Sequence, residues 1–412
     1  MPKREGAVIH IPDDVLGKMQ ILAGRFGYIS NTPTIVFDSS RIDFLADLSR
    51  SLLAMPQVRA MPDVVSFAYW CRRANLTQLI ERMDKANRLR IGLGLSFHIC
   101  PANVPINFAF SMAFGLLAGN TCVLRLPSKE SPTVDIMVDA IFHVLQEPAH
   151  AELVDAILLT RFGRDDTVNQ FWMSAADGRI VWGGDATVQH MRSLQCRPRS
   201  REVAFPDRYS MCAIEPHAVL ALNAPELQAL CNRLFNDIYL MDQTACSSPQ
   251  LLAWIGDASA VASAKARLWP ALVVFAADRY APQGVHVMDK YVQACRHAIG
   301  NDRVMNVEQH GNLLYRIELS SVSEDQDECR GYFGTIHEVT LESLDQLAPI
   351  VNERYQTLTY FGLGTDRVRE FIVSNHLRGI DRAVPIGRAL DMDLVWDGYD
   401  LVTSLSRQIE IH

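Results

Sequence analysis

Apolar residues recur at helical spacing from Pro62, through Val64, Val65, Phe67, Ala68 and Trp70 to Leu79 and Ile80, then give way to a charged run over residues 81–90. That spacing predicts a helix packed on a domain surface. Ahead of it, residues 1–50 show little periodicity beyond a short helix over 43–53. After it, strands predicted over 91–99, 121–126, 156–159 and 179–182 alternate with helices over 104–118, 132–145, 165–176 and 185–194. Several of these strands are continuous apolar runs, as expected where helices cover both faces of a sheet. The repetition predicts a parallel, doubly wound sheet, with ligands at the carboxyl ends of its strands.

A second series follows. Short strands over 202–204 and 211–214 lead to a helix over 226–239, a strand over 251–255 and helices over 258–268 and 291–299. Strands over 313–319 and 335–339 and helices over 344–353 and 366–374 complete a second α/β domain. No internal repeat is visible, and residues 320–328 form an acidic loop. The expected division is an N-terminal region with a dinucleotide-binding domain over 1–215, a catalytic domain over 216–390, and a C-terminal element over 391–412 that serves oligomerisation or returns to the first domain.

Composition narrows the function. Apolar residues make up 49% of the 412 and charged residues 21%, ordinary for a globular chain with real cores. The formal net charge of -8 argues against a nucleic-acid binder, which needs a concentrated basic face. The nine cysteines include no CxxC pair or zinc-ligand spacing, which reads as reduced thiols in the cytoplasm. Twelve scattered histidines give no metal assignment. The segment after Met1 has no apolar core of signal-peptide length, and the longest apolar stretch, 104–117, is broken by Pro105, Asn107 and Ser111. The expectation is a soluble protein without a membrane span.

Candidate chemistry centres on Met241-Asp242-Gln243-Thr244-Ala245-Cys246-Ser247-Ser248-Pro249-Gln250. Cys246 sits in a run of small and polar residues between a helix and a strand, where a thiolate could attack an activated carbonyl. A buried packing thiol is the competing reading. Asn103, in His98-Ile99-Cys100-Pro101-Ala102-Asn103-Val104-Pro105, suits an oxyanion donor and equally a helix N-cap. His98, on a strand, reads as structural. Arg125, Ser128 and Lys129 end the second strand, where basic residues accommodate a 2′-phosphate and so favour NADPH, with NADH the alternative. Gly183 and Gly184 open a helix and permit close approach of a phosphate or nicotinamide. Phe108, Phe110, Phe114 and Trp172 stand as either core or the lining of a long acyl pocket.

Together these segments resemble the bacterial long-chain acyl-CoA reductases, the fatty-acid reductase subunits of bioluminescence operons. The likeness rests on Phe97 to Pro105, Val181-Trp182-Gly183-Gly184-Asp185, Asp242 to Pro249, and, in the tail, Gly379 to Gly387 and Trp396-Asp397-Gly398-Tyr399-Asp400. It runs from about residue 60 to the end. The resemblance implies the aldehyde dehydrogenase fold, with a Rossmann-like cofactor domain, a catalytic domain carrying the nucleophilic Cys246, and a homo-oligomer. It implies NADPH-dependent reduction of an acyl-CoA to an aldehyde through an acyl-cysteine, with Asn103 as oxyanion donor and the Cys246 thiolate beside a helix N-terminus. An acyl-activating ligase partner is implied as a second source of acyl groups. Tyr332-Phe333-Gly334-Thr335 is similar to a segment near the nicotinamide ribose. The superfamily's water-activating glutamate would fall at Ala204 or a neighbour, and its ribose-holding glutamate near Gly331; Glu202 and Asp207 are the nearest carboxylates to the first. A hydrolytic aldehyde dehydrogenase and a non-catalytic subunit binding an acyl carrier or a partner remain the alternatives.

Overall fold

A computed structural model of the chain describes residues 8–83 and 89–412, so residues 84–88 of the charged run lie outside it. Two compact units result, one running to Pro206 and resuming at Met392, the other spanning Asp207–Asp391. The fold is α/β, as the sequence predicts.

In the first unit, six strands lie in the order Gln20–Ala23, Ile157–Arg161, Thr121–Leu126, Leu95–Ile99, Gly178–Trp182, Arg201–Phe205. The last five are mutually parallel, and Gln20–Ala23 adds an antiparallel edge. From Leu95–Ile99 the chain builds outward to one side through two strands, then crosses back to lay Gly178–Trp182 on the other. This reversal opens a crevice at the carboxyl ends of the two central strands. The apolar runs are buried as expected, with all five residues of Leu95–Ile99 and of Gly178–Trp182 inside.

Three expectations in this unit change. The helix predicted from Pro62 to Ile80 is two, Pro62–Trp70 and Arg73–Met83, broken at Cys71. The strand predicted over 91–99 breaks at Gly94, whose φ of 132° suits glycine; a Cβ there would lie 2.5 Å from an Asp177 carboxylate oxygen. Its first part, Arg90–Gly92, pairs instead with Ser406–Gln408 from the C-terminal segment. Phe108, Phe110, Phe114 and Trp172 are buried core residues: Trp70, Phe110 and Phe114 meet edge to face or stacked, and Phe97 stacks on Trp172.

The second unit holds a seven-stranded sheet in the order Val304–His310, Leu314–Leu319, Thr335–Leu341, Leu251–Ile255, Tyr209–Ile214, Tyr355–Phe361, Arg382–Pro385. All pairings but the first hairpin are parallel. Because Tyr209–Ile214 pairs with Leu251–Ile255 and Tyr355–Phe361, the unit begins at Asp207, nine residues before the expected boundary at 216. Strand Tyr355–Phe361 is absent from the sequence prediction, and the helix predicted over 344–353 is a 3₁₀ turn, Leu344–Ile350, interrupted by Pro349. The helix predicted over 258–268 continues to Ala277 through Pro270, which makes it longer than the 104–117 stretch and apolar enough by composition to cross a bilayer. Its inner face nevertheless packs into the core through Val261, Ala264, Leu268, Trp269 and Leu272.

A buried carboxylate ties that helix to the sheet. Glu338, fully buried on Thr335–Leu341, accepts from the indoles of Trp254 and Trp269 at 2.8 and 3.0 Å and from Arg316 Nε at 2.8 Å. Lys265 Nζ lies 2.8 Å from Glu318 on the neighbouring strand. A buried charge persists only with this many partners, and removing one side of such a pair strands the other. Glu338→Ala is expected to cost about 3–5 kcal/mol, read as a lower urea midpoint; an unchanged midpoint would mean that the hub contributes nothing net.

Candidate functional site

Cys246 lies in the turn between helix Ala224–Ile238 and strand Leu251–Ile255, half-buried. No helix begins in this turn. The expected helix N-terminus beside the thiol is therefore corrected: the preceding helix offers its carboxyl end, and the next element is a strand. Helix dipoles act within the last turn, so Cys246, eight residues past Ile238, receives little from either sign.

The turn is held from below by the amino ends of four parallel strands. Asp242 and Gln243 both adopt left-handed backbone, at φ 51° and 59°, which costs on the order of 1 kcal/mol each for non-glycine residues. The side chain of Gln243 offsets this. Fully buried, it donates through Nε2 to the carbonyls of Pro249 and Thr335, both at 2.8 Å. Its Oε1 accepts from the N–H groups of Gly334 and Thr335 at 3.1 and 3.0 Å. Gln250 repeats the device, donating to Gln243 O at 3.1 Å and accepting from Gly331 N at 2.8 Å. The 331–335 segment thus becomes a rail for the thiol turn, itself fixed by Lys290 Nζ donating to Phe333 O at 2.8 Å.

Side chains from two strands hold Cys246 itself. Ser210 Oγ donates to its carbonyl at 2.6 Å and accepts from Thr357 N at 3.2 Å, linking the turn to two strands. Gln356 Nε2 donates to Cys246 Sγ at 3.4 Å. Sequence reasoning missed Gln356 because it missed the strand; the polar pair Gln356-Thr357 between Tyr355 and Leu358 was the available signal.

Burial separates Cys246 from most other cysteines. Cys71, Cys100, Cys122 and Cys212 are buried, and desolvation pushes their thiols up, to about 11 for Cys122 and about 12 for Cys212. Thiols so raised stay protonated and inert. His98 is equally removed from chemistry: burial pulls it down to about 3, and its ring nitrogens bond Ser111 at 2.7 Å and Ser96 at 2.8 Å. It is structural, as expected.

In the first unit, Asn103, Arg125, Ser128, Lys129, Gly183 and Gly184 line one cleft of about 840 Å³. It sits at the switch point, beyond the carboxyl ends of Leu95–Ile99, Thr121–Leu126 and Gly178–Trp182. Asn103 is exposed in a bend and is not the helix N-cap: the helix starts at Asn107 behind Ile106, which offers no side-chain cap. Arg125 is partly spent internally, donating to Gly163 O at 3.0 Å, and burial lowers its pKa. The exposed cations at this rim are Lys129 and Arg164, the second not singled out from sequence. A Cβ on Gly184, the residue before helix Asp185–Ser193, would meet nothing within 4 Å.

The residues at the expected water-activating position carry no available base. Ala204 is a buried strand residue. Glu202 is bound by Arg192 at 2.7 Å with Arg179 at 3.6 Å, and Asp207 by Arg330 at 2.9 Å and Arg354 at 3.2 Å. Among the described residues one group, Asp47, Glu147 and His150, has ligand atoms close enough for a metal, but Asp47 is taken by Arg50 and by His150.

A family model described as acyl-CoA reductase (LuxC) matches residues 50–408. The long-chain acyl-protein thioester reductase of Aliivibrio fischeri is 27% identical over 165 residues, 40% of this chain and 32% of that protein. Long-chain acyl-protein thioester reductase 2 of Photobacterium leiognathi is 25% identical over the same shares. The match therefore spans about a third of these relatives' length. Among solved structures, lactaldehyde dehydrogenase from Escherichia coli superposes with a TM-score of 0.61 at 14% identity, over 98% of this chain and 95% of that one. Aldehyde dehydrogenase 21 from Physcomitrella patens gives 0.61 at 11% identity, over 90% and 85%. At these identities the superpositions speak to fold.

The bracing of the thiol turn makes a specific prediction. Gln243→Leu removes four hydrogen bonds and leaves buried partners unmet, at about 1–3 kcal/mol for each unsatisfied group. Hydrogen exchange should accelerate in residues 240–250 and 331–335 together; acceleration in one segment alone would show that the two are not coupled.

Proposed function

Because the chain belongs to the acyl-CoA reductase (LuxC) family, we propose that it reduces an acyl thioester to an aldehyde by way of an acyl group carried on Cys246. The observation that carries this reading is a half-buried thiol in a braced turn, its sulfur accepting an amide hydrogen, while Cys71, Cys100, Cys122 and Cys212 are buried and raised. The thiolate attacks the acyl carbonyl, and the donor's sulfur departs as the C–S bond to Cys246 forms. The names of the bacterial relatives point to an acyl-protein as donor; a coenzyme A ester made by an acyl-activating enzyme is chemically equivalent at the carbonyl. Asn103 is the proposed oxyanion donor, and Asn103→Ala should slow acylation about a hundredfold or more.

The first unit's cleft fits a nicotinamide dinucleotide. It lies at the switch point, Gly184 leaves open space where a side chain would stand, and Lys129 and Arg164 suit the extra phosphate of NADPH. When bound, the reduced nicotinamide supplies the hydride that takes the acyl group to the aldehyde level. The chain's own tasks are to carry the acyl group, to leave water without an activating base, and to take back the sulfur's negative charge as aldehyde departs. The pairing of Glu202 and Asp207 with arginines favours this reading over a hydrolytic one, which needs a carboxylate free to take a proton from water.

Incubation with a panel of acyl-CoAs followed by intact-mass measurement should add one acyl mass to the wild-type protein and none to Cys246→Ala. An adduct on the variant would refute the assignment. Lys129→Glu should raise the KM for NADPH about tenfold, the loss of one ionic contact, and leave that for NADH nearly unchanged; an equal rise for both would remove the 2′-phosphate from this loop.

A further inference from the structure

We propose that Gln356 is a catalytic residue that holds Cys246 in its thiolate form, doing with one buried amide what a helix N-terminus does elsewhere. The inference deepens the reading of Cys246 as the nucleophile and rests on it. Gln356 is 1% exposed, on the amino end of Tyr355–Phe361, and aims Nε2 at Cys246 Sγ from 3.4 Å. Thr357 Oγ1 donates to Gln356 Oε1 at 3.4 Å, so the amide is turned with its N–H toward sulfur. Ser210 fixes the same strand to the Cys246 carbonyl, which keeps donor and acceptor in register.

An N–H donor bonds a thiolate more strongly than a thiol, so the contact favours loss of the proton to water and lowers the thiol's pKa. It also favours departure of aldehyde, since the leaving group is the same sulfur anion. The cations bordering the turn are engaged elsewhere: Arg208 pairs with Asp381, and Lys290 Nζ donates to the carbonyls of Leu313 and Phe333. Tyr209 and Tyr355 are buried and pushed up, hence neutral, and His337, whose N–H meets Gln250 O at 3.1 Å, is pulled down to about 3. Asp207 is paired with Arg330 and Arg354, and Asp242 accepts from Tyr280 Oη at 2.6 Å.

The test follows alkylation of Cys246 by iodoacetamide against pH, read on its own peptide by mass spectrometry, in wild type, Gln356→Met and Gln356→Glu. Both substitutions preserve side-chain length; the first removes the donor and the second also adds a negative charge. The apparent thiol pKa should rise by about one unit in Gln356→Met and further in Gln356→Glu, which at neutral pH means about tenfold slower labelling in the first. Far-UV circular dichroism and the thermal midpoint identify a variant that has lost its fold, and the other then carries the comparison. Profiles coinciding with wild type would overturn the proposal. No acyl donor enters this assay, so failure of the protein to accept acyl groups would count against the reductase reading alone.

Discussion

The geometry of the thiol depends on one amide. Gln243 is fully buried, sits in left-handed backbone and satisfies both donors and both acceptor sites of its side chain against main chain from residues 249 and 334–335. Each bond is ordinary in strength, but the set is closed: moving the turn means breaking several at once in a place water does not reach. A strained turn held in this way presents its cysteine at one position instead of sampling many, which the proposed attack on a carbonyl requires. The neighbouring Ser210 and Gln356 add contacts to Cys246 itself, and both come from strands whose register is set by the same parallel sheet.

The two units solve the problem of polar chemistry on an apolar scaffold from opposite ends. In the first, the cleft opens at the carboxyl ends of the strands, where helices begin and positive dipole ends and glycine backbone are available to anions. In the second, the thiol turn rests on the amino ends of the strands, where helices terminate and no such dipole helps. Side-chain amides take over there. That difference explains why the second unit buries Gln243, Gln250 and Gln356 together, an expensive concentration of polar groups unless every one is bonded.

Much of this was legible. The strands Thr121–Leu126 and Leu251–Ile255 and the helix Pro132–Leu145 fall where apolar runs and periodicity put them. The residues expected to meet the cofactor line one cleft because they cluster at the ends of strands, which the βαβ alternation already located. What escaped detection has a common cause. Tyr355–Phe361 carries Gln356, Thr357 and Thr359 at buried positions, so a rule that equates buried strands with apolar runs passes over it. Gln356 and Thr357 are polar because they serve the thiol turn, and local pattern fails where tertiary demand overrides it. The helix N-terminus expected beside Cys246 failed differently: residues 247–250 have turn composition that resembles a cap, but Pro249 and the apolar run after it feed a strand. The boundary error at 207 arose because Tyr209–Ile214 follows the first sheet in sequence yet belongs to the second.

The C-terminal segment has a consequence for synthesis. Ser406–Gln408 pairs with Arg90–Gly92, Asn120 donates to Leu405 O at 2.9 Å, and Arg90 reaches the carbonyls of Thr403 and Ser406. Every strand of the second unit, by contrast, lies within one uninterrupted stretch. A nascent chain emerging from the ribosome therefore has the later-written unit whole before Arg90–Gly92 can pair with Ser406–Gln408, and at about 5–20 residues per second that two-stranded pairing waits about 10–40 seconds after the first unit's six-stranded sheet is written. Birth order and completion order are inverted, and the vulnerable intermediate is the half that was translated first.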